Sequence, residues 1–394
     1  VAGSSKVQSF NTEKFPSHIG CEVSEFDAHC SMVNSSLIDS PSSIDRPSSI
    51  DNIAISQLGR SSQMAVVAAG QALTDSGIST EMLTNSRCDV VMGTTDGESA
   101  VFDEFAIDYT KQPDAAFEQL PQLVTAEAIS DSIQEAFRLT GDSVVLATAC
   151  SAGNYSIGYA FDKISTGKVD VVICGGSDSQ CLKNFGGFYR IGALAPENCS
   201  PFDLNRKGIL PGEGSGVLIL ESLDSAKKRN AKIYAEVLGY GASCDGHHVM
   251  QPNLDGIVEC NRDALQRCKV NPEDVDYICA HGTATSINDV VETTAMKTIY
   301  AENMPPMSSI KSMLGHTMGA ASALSAIACT LGIKYDFMPP TINYSEADPE
   351  CDIDCVPNKA RNASLNIVQN NAFAFGGNNA IVLLKRFTDS TERN

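Results

Sequence analysis

Residues 143–164 read SVVLATACSAGNYSIGYAFDKI and contain the clearest indication of the architecture. An apolar, β-branched run leads to Cys150, and small residues then open a helical pattern. A strand that turns sharply into a helix is the building unit of α/β proteins. Cys150 would therefore follow the C-terminal end of a strand, where α/β sheets place their sites. The positive end of the helix dipole would favour a thiolate, so we expect a lowered pKa for Cys150.

Similar strand-like runs recur along the chain and alternate with helical patterns. They are short, continuous and β-branched, which is typical of strands covered on both faces. The predicted strands are 88–93, 143–149, 169–176, 214–222, 233–241, 275–280 and 379–386. The predicted helices are 61–76, 125–139, 155–165, 256–267 and 319–333. This alternation predicts a layered α/β protein. The polar stretch KKRNAK predicts a boundary between an N-terminal half, 1–230, and a C-terminal half, 231–394.

The composition places the chain among ordinary globular proteins, with 43% hydrophobic and 19% charged residues. A net charge of −20 argues against a nucleic-acid or anionic-membrane surface. We find no apolar run of roughly 18 residues and no apolar signal-peptide core near the start, so no membrane span is expected. The 14 cysteines stand singly in apolar runs, which predicts free thiols in a reducing cytoplasm and no metal site.

His281 ends another strand-like run, in DYICAHGTATSINDVVE. A histidine that leaves a strand into a Gly-Thr turn is exposed at a sheet edge, and the alternative is a capping or core histidine. Asp289 and Glu292 follow in what the pattern predicts as the first helical turn. Asp289 could cap that helix, and both carboxylates suit its positive end.

His316 lies in MSSIKSMLGHTMGAASALSAIACTLGI, at the start of a small-residue helix that permits close packing. Near a helix N-terminus an imidazole stays neutral and can donate a hydrogen bond to a carbonyl or carboxylate. Lys311 is predicted in a loop close to that site, although a surface lysine is an equally good interpretation.

A Gly-Gly turn follows two phenylalanines in NNAFAFGGNNAIVLL. Gly376 and Gly377 allow positive φ and a close approach of the backbone. Their amides could form an oxyanion hole, or the turn could be a plain hairpin. A cysteine, two histidines and such a turn at sheet ends form a set that nucleophilic acyl chemistry uses.

Together these segments resemble the β-ketoacyl synthase family of the thiolase-fold superfamily. TACSAG is similar to the family's nucleophile motif, AHGTAT to its first histidine motif and SSIKSMLGHTMGAA to its lysine–histidine motif. FAFGGNNA is similar to its terminal FGFGGxN turn. The resemblance extends in order over residues 53–387. It implies a five-layer αβαβα thiolase-like fold of two similar halves.

The resemblance also implies roles for particular residues. Cys150 would accept the acyl group, and His281 and His316 would bind and decarboxylate a malonyl thioester. Lys311 would position His316 and support it electrostatically. Other implied residues are the oxyanion and gatekeeper group Phe375, Phe373 and Gly376, the substrate-binding residues Phe188, Thr283 and Thr285, and the structural carboxylates Asp289 and Glu292.

Within the family, SSIKSMLGH and DPECDIDCVPNKAR resemble the ketosynthase subunit of bacterial type II polyketide systems. This implies polyketide or polyene biosynthesis, with a fatty-acid elongation synthase as the alternative. A non-catalytic chain-length-factor-like subunit would lack Cys150, and a thiolase would need a second cysteine where FAFGGNNA has none. Ser325 replaces a glutamate common in the family, and PSSID occurs twice in a predicted loop at 31–51.

The resemblance implies partners rather than cofactors. No metal or redox cofactor is implied, because the substrates are carried on the phosphopantetheine of an acyl carrier protein. A dimer is implied, either a homodimer or a heterodimer with a chain-length-factor homologue. Because the chain is acidic overall, we expect carrier docking at a local basic patch made of Arg60, Arg190, Arg206 and Lys207.

Overall fold

The computed structural model describes residues 5–13, 15, 17–23, 55–85, 87–112 and 125–389. The repeated PSSID segment lies outside them. The strands are β1 Ser5–Lys6, β2 Ile19–Gly20, β3 Cys88–Gly93, β4 Ser143–Leu146, β5 Val171–Asp178, β6 Gly214–Glu221, β7 Glu236–Cys244, β8 Tyr277–Cys279, β9 Met307–Ser308, β10 Phe337–Met338, β11 Arg361–Asn362, β12 Ile367–Phe373 and β13 Asn378–Lys385. The helices are α1 Arg60–Ser76, α2 Thr80–Asn85, α3 Ser99–Lys111, α4 Ala128–Ala136, α5 Ala152–Ser165, α6 Leu182–Arg190, α7 Leu223–Lys228, α8 Leu254–Cys268, α9 Ser286–Tyr300, α10 Lys311–Leu314 and α11 Ala321–Tyr335.

Two mixed sheets form the frame of the molecule. The N-terminal sheet has the order β4-β3-β5-β6, in which β4 and β5 run parallel to β3 and β6 runs antiparallel to β5. The C-terminal sheet has the order β7-β13-β12-β8-β9. Here β12, β8 and β9 are parallel, while β13 is antiparallel to both of its neighbours. Each half of the chain therefore contributes one sheet.

The helices form three layers around these sheets. Helices α5 and α11 lie between the sheets and contact strands of both. Helices α1 and α4 cover the outer face of the N-terminal sheet, and α8 and α9 cover that of the C-terminal sheet. An apolar cluster fills each space between layers, because every sheet face must be shielded from water. The predicted five-layer αβαβα fold is confirmed.

The central helices approach each other closely, as the small-residue composition predicts. A Cβ atom on Gly153 would lie only 2.5 Å from the backbone nitrogen of Ala323 and 2.8 Å from Ser322 Oγ. By length and composition the stretch Met318–Tyr335 could cross a membrane, contrary to our reading of the sequence, but 61% of it is buried inside the protein. Such burial is typical of the central helix of an α/β fold.

One central strand, β12, is absent from the sequence prediction. Three of its residues, Gln369, Asn370 and Asn371, are polar, yet all are buried. Their side chains find hydrogen-bond partners inside the protein, for example Asn371 Nδ2, which donates to Glu292 Oε1 at 3.0 Å. Hydropathy alone cannot identify a strand whose buried polar groups are paired in this way.

Candidate active site

Cys150 lies in a strained elbow between a strand and a helix. Strand β4 ends at Leu146, a 3₁₀ turn spans Ala149–Ser151, and α5 begins at Ala152. Ala149 has a φ of 52°, which an L-residue seldom adopts. The predicted strand–turn–helix is confirmed, and the strained turn fixes the direction of the thiol, which is only 6% exposed.

His281 and His316 face each other inside the protein. Their ring centroids are 5.6 Å apart at an interplanar angle of 84°. Burial, reinforced by the charge of Lys311, holds the pKa of both imidazoles well below their usual range. Both rings are therefore neutral, as predicted for His316, although burial rather than a helix dipole is the main cause.

The backbone around His316 also selects its tautomer. The N–H of Met318 donates to His316 Nδ1 at 3.2 Å. Because that nitrogen accepts a hydrogen bond, the proton of the neutral ring is assigned to Nε2. The His316 N–H donates to Leu210 O at 2.7 Å, which fixes the residue against the N-terminal half. His316 can thus donate a hydrogen bond while remaining uncharged.

Glu292 and Asp289 hold the loop that carries His281. Glu292 accepts hydrogen bonds from the backbone N–H groups of His281 and Gly282, both at 2.8 Å. Asp289 accepts from Thr283 N at 3.1 Å. The expectation that Asp289 caps its own helix is wrong, since α9 begins at Ser286 and the backbone N–H groups that donate to this carboxylate all lie outside the helix. Glu292 lies beyond the first turn of α9. Its carboxylate therefore bonds to the loop of His281 and not to the N-terminus of the helix.

Lys311 is a buried residue at the start of α10 and not a surface lysine in a loop. Its Nζ donates to the backbone carbonyl of His281 at 2.6 Å. The charge of Lys311 acts on His316, as the expected electrostatic support requires, while its hydrogen bond goes to the loop of His281. Ser325 is also buried, in α11, where many relatives were expected to carry a glutamate.

A cavity of about 320 Å³ brings the predicted residues together. Its lining includes Cys150, Phe188, His281, Thr283, Thr285, His316, Phe373 and Phe375. The hydroxyl oxygens of Thr283 and Thr285 are 2.9 Å apart along one wall. In the described part of the chain, no group of three histidine, cysteine or acidic side chains could hold a metal ion. The Cys150 thiol and the neutral imidazoles of His281 and His316 thus line the same cavity.

The turn after β12 forms the entrance to this cavity. The rings of Phe375 and Phe188 have centroids 5.8 Å apart, and Phe375 is 37% exposed, whereas Phe373 is buried beside His281. Gly376 and Gly377 adopt φ values of 84° and 80°, as predicted. The Gly376 N–H, however, donates to Val249 O at 2.7 Å. Gly376 is thereby removed from the predicted oxyanion group.

The Cys150 thiol lies in an environment that we did not expect. Burial raises its pKa to about 11, although the charge of Lys311 and the backbone N–H groups of Phe375 and Cys150 act in the opposite direction. The expected lowering is therefore wrong, because removal from water outweighs the favourable contacts. The backbone N–H groups of Phe375 and Cys150 thus favour the charged form of the sulfur, but not enough to offset its burial.

Sequence reasoning missed a buried polar node that joins the three elements of the site. Asn154, on the helix after Cys150, donates to the carbonyls of Asn370 and Ala380, both at 3.0 Å. Asn370 donates back to Asn154 Oδ1 and to Ser322 O, both at 2.8 Å. These bonds connect α5, α11 and the β12–β13 hairpin that leads to Phe375. Asparagines within otherwise apolar stretches of sequence could have indicated these buried hydrogen bonds.

Asp178 is a second residue that the sequence analysis did not single out. It ends β5 and accepts from Gly319 N at 2.6 Å and from Thr95 N at 2.8 Å. Burial raises its pKa to about 7. A Cβ on Gly319 would lie 2.7 Å from its carboxylate. Asp178 thus fixes the turn that follows His316. Its position at the end of a strand could have identified it from the sequence.

The structure corrects the proposed basic patch. Arg60 donates to both carboxylate oxygens of Glu213, and Arg206 is 5% exposed and pairs with Asp348. Arg190 and Lys207 remain exposed. Two of the four basic residues are therefore already paired with carboxylates, although only the Arg206 side chain is buried.

Comparison with known proteins agrees with this geometry. Residues 25–226 match the β-ketoacyl synthase N-terminal domain, and residues 234–345 match the β-ketoacyl synthase C-terminal domain. Nodulation protein E of Rhizobium meliloti is 37% identical over 337 residues, 83% of this chain and 82% of that protein. The 3-oxoacyl-(acyl-carrier-protein) synthase 2 of Coxiella burnetii is 33% identical over 407 residues, 98% of this chain and 92% of that protein.

A solved structure extends the likeness to the whole fold. The ishigamide ketosynthase/chain length factor is 42% identical and covers 98% of this chain and 92% of its own, with a TM-score of 0.91. Matches to both domains, nearly full-length relatives and a shared fold lead to one conclusion. The chain belongs to the β-ketoacyl synthase family.

Proposed function

We propose that this protein extends an acyl thioester by decarboxylative Claisen condensation with a malonyl thioester. The observation that carries the proposal is the cavity in which Cys150 meets two neutral imidazoles, His281 and His316. A nucleophile, uncharged hydrogen-bond donors and convergent backbone amides are what acyl transfer and enolate formation require.

In the first half-reaction the Cys150 sulfur attacks the carbonyl carbon of the acyl donor. Because burial raises the thiol pKa to about 11, the proton must pass to a base as the bond forms, and the imidazoles lining the cavity supply one. The amides of Cys150 and Phe375 stabilise the oxyanion. The carrier thiol leaves as the C–S bond breaks and takes up the proton, which leaves an acyl-cysteine.

In the second half-reaction a malonyl thioester enters the same cavity. His281 and His316 donate hydrogen bonds to its thioester oxygen. The bond to the carboxylate breaks, CO₂ leaves, and the electron pair forms an enolate that neutral donors stabilise. The enolate carbon attacks the acyl-cysteine carbonyl, and the Cys150 thiolate is expelled. The product is a 3-oxoacyl thioester, and no step calls for a metal or redox cofactor.

We infer that both substrates arrive on the phosphopantetheine of an acyl carrier protein. The name of the Coxiella burnetii relative includes this carrier. The route from the entrance to the Cys150 sulfur is lined by Thr283, Thr285 and Phe188. We infer that these residues bind the phosphopantetheine arm. The free thiols in the described part of the chain suit the reducing cytoplasm in which we place the reaction.

We also infer that the protein forms a dimer. In the described part of the chain, β4 is an edge strand with Val144, Val145 and Leu146 only partly buried. Helix α3 lies in the same half, none of its residues is buried, and Phe102 is 57% exposed. Unpaired strand edges and exposed aromatic groups favour association with another chain of this fold. The partner is a second copy or a chain-length-factor homologue.

The pathway is assigned to polyketide or polyene synthesis. The similarity to the ishigamide ketosynthase/chain length factor, at 42% identity over 98% of this chain, supports this assignment, and fatty-acid elongation is the alternative. We also place the division between the two halves at residue 230, between the N-terminal and C-terminal family matches.

Condensation can be tested with the purified protein, an acyl-carrier thioester and malonyl-carrier protein. We expect release of CO₂ together with a 3-oxoacyl-carrier product. His316→Ala should abolish both while leaving acyl transfer to Cys150 intact. His247→Ala, at an exposed histidine outside the cavity lining, serves as the control. Acyl transfer by the wild-type protein without CO₂ release would contradict the proposed reaction.

A further inference from the structure

We propose that Lys207 binds the phosphate of the phosphopantetheine arm and that an exposed apolar rim around the entrance contacts the carrier protein. The rim consists of Ile191, Val249, Met250 and Ile287. This inference rests on the proposed function. It replaces the basic docking patch with one cation and an apolar surface.

Lys207 is the exposed cation of the cavity entrance. Among the described residues that line the cavity, the positively charged ones are Arg206 and Lys207. The Arg206 guanidinium is turned inward, where it bonds Asp348 and the carbonyl of Thr285. Lys207 is exposed and forms no ion pair within the described part of the chain. An ammonium group without an ion-pair partner at the entrance is suited to bind the phosphate of the phosphopantetheine arm, which stays at the entrance while the arm extends into the cavity.

The backbone places Lys207 between two walls of the entrance. The next residue, Gly208, donates to Ala284 O at 2.9 Å, which ties this segment to the Thr283–Thr285 loop. A Cβ on Gly208 would lie 2.1 Å from Ala193 O, so the segment also contacts the wall that begins at Ile191. A phosphate bound by Lys207 would therefore stand where the arm enters between these walls.

The rim residues lie around one opening and are not scattered over the surface. Ile191, Met250 and Ile287 line the cavity and are 41%, 42% and 50% exposed. Val249 is 70% exposed, and its carbonyl accepts the Gly376 N–H of the entrance turn. Single exposed apolar side chains are common, but several around one opening mark a binding surface.

The net charge favours this division of roles. With a net charge of −20, the protein repels an anionic partner at long range. Apolar contact does not depend on charge and is little affected by salt. One cation is sufficient to bind the phosphate, while the rim supplies the contact area for the protein part of the partner.

The test uses one acyl group on three thiols: the carrier protein, free phosphopantetheine and N-acetylcysteamine, which lacks the phosphate. Lys207→Gln is compared with Lys334→Gln, at an exposed lysine near the end of α11. Ile287→Asp is compared with Leu223→Asp. Ile287 and Leu223 both lie in the first turn of a helix and are 50% and 49% exposed. The measured quantity is kcat/KM for acyl transfer.

Lys207→Gln should lower kcat/KM for the carrier and phosphopantetheine thioesters roughly five- to tenfold relative to the N-acetylcysteamine thioester. Ile287→Asp should lower it for the carrier thioester alone. Equal effects on all three substrates, or effects no larger than those of the controls, would overturn the proposal. A wild-type protein that used none of the three substrates would overturn the proposed function, and this inference with it.

Discussion

Two opposing influences act on the Cys150 sulfur. Burial in the elbow before α5 favours the thiol, while Lys311 and two backbone N–H groups favour the thiolate. Burial is the larger influence, so the group is protonated at neutral pH. The same N–H groups become useful only when negative charge develops on a bound carbonyl oxygen. The site therefore stabilises the reacting state better than the resting anion.

The raised pKa predicts the pH dependence of alkylation. Only the thiolate reacts with iodoacetamide, and its fraction grows about tenfold per pH unit below the pKa. With a pKa of about 11, the rate at Cys150 should rise from pH 7 to pH 10 without levelling. The rate can be followed by mass spectrometry of the Cys150 peptide. A plateau near neutral pH would show that the thiolate is already stabilised.

Lys311 gives a second prediction at this scale. Its charge adds to burial in lowering the pKa of His281 and His316. In Lys311→Met the pKa of both imidazoles should rise. The acid limb of the pH–rate profile for malonyl decarboxylation should therefore shift to higher pH. Lys311→Arg keeps the charge and should retain the wild-type profile. Identical acid limbs for Lys311→Met and wild type would contradict this role.

At the level of elements, the contact between α5 and α11 depends on Gly153. Gly153→Ala would place a methyl group 2.5 Å from the Ala323 nitrogen and push apart the two helices, one of which follows Cys150 and the other His316. Overpacking of this kind costs about 1–3 kcal/mol, so the free energy of unfolding in denaturant should fall. Gly187→Ala, where nothing lies within 4 Å, is the control and should be neutral or slightly stabilising. Equal stability of both variants would contradict a tight helix contact.

The elements also show what the sequence could predict. Apolar β-branched runs identified β3 at its observed bounds, and the small residues of α11 indicated close packing. Strand β12 was not predicted because its asparagines form hydrogen bonds with residues far away in the chain, for example Asn370 with Asn154 and Asn371 with Glu292. Contacts of this kind bring together residues far apart in the chain, and local periodicity carries no information about them.

The candidate site shows the same limit. Motif resemblance located Cys150, His281 and His316, which the structure brings into one cavity. It could not reveal that Arg206 is occupied by Asp348 or that Gly376 bonds to Val249. Both contacts join residues more than 100 positions apart in the chain, and the Arg206–Asp348 pair also joins the two halves.

For the whole molecule, the exposed face of α3 predicts association. Rings of Phe102, Phe105 and Tyr109 follow one another at centroid distances of 6.2 and 6.1 Å along a helix with no buried residue. Phe102→Asp should weaken the proposed dimer, because a desolvated carboxylate would oppose an apolar contact. Tyr335→Asp, at a side chain 61% exposed, is the control. Sedimentation should show monomer for Phe102→Asp alone, and an unchanged mass would exclude this face.

The most direct measurement is the location of the acyl group during turnover. The protein is incubated with an acyl-carrier thioester without malonyl donor, digested, and its cysteine peptides are analysed by mass spectrometry. We predict the acyl mass on Cys150, lost on adding malonyl-carrier protein and absent from Cys150→Ser. Acylation of another cysteine, such as the exposed Cys244, with Cys150 unmodified would contradict its assignment as nucleophile.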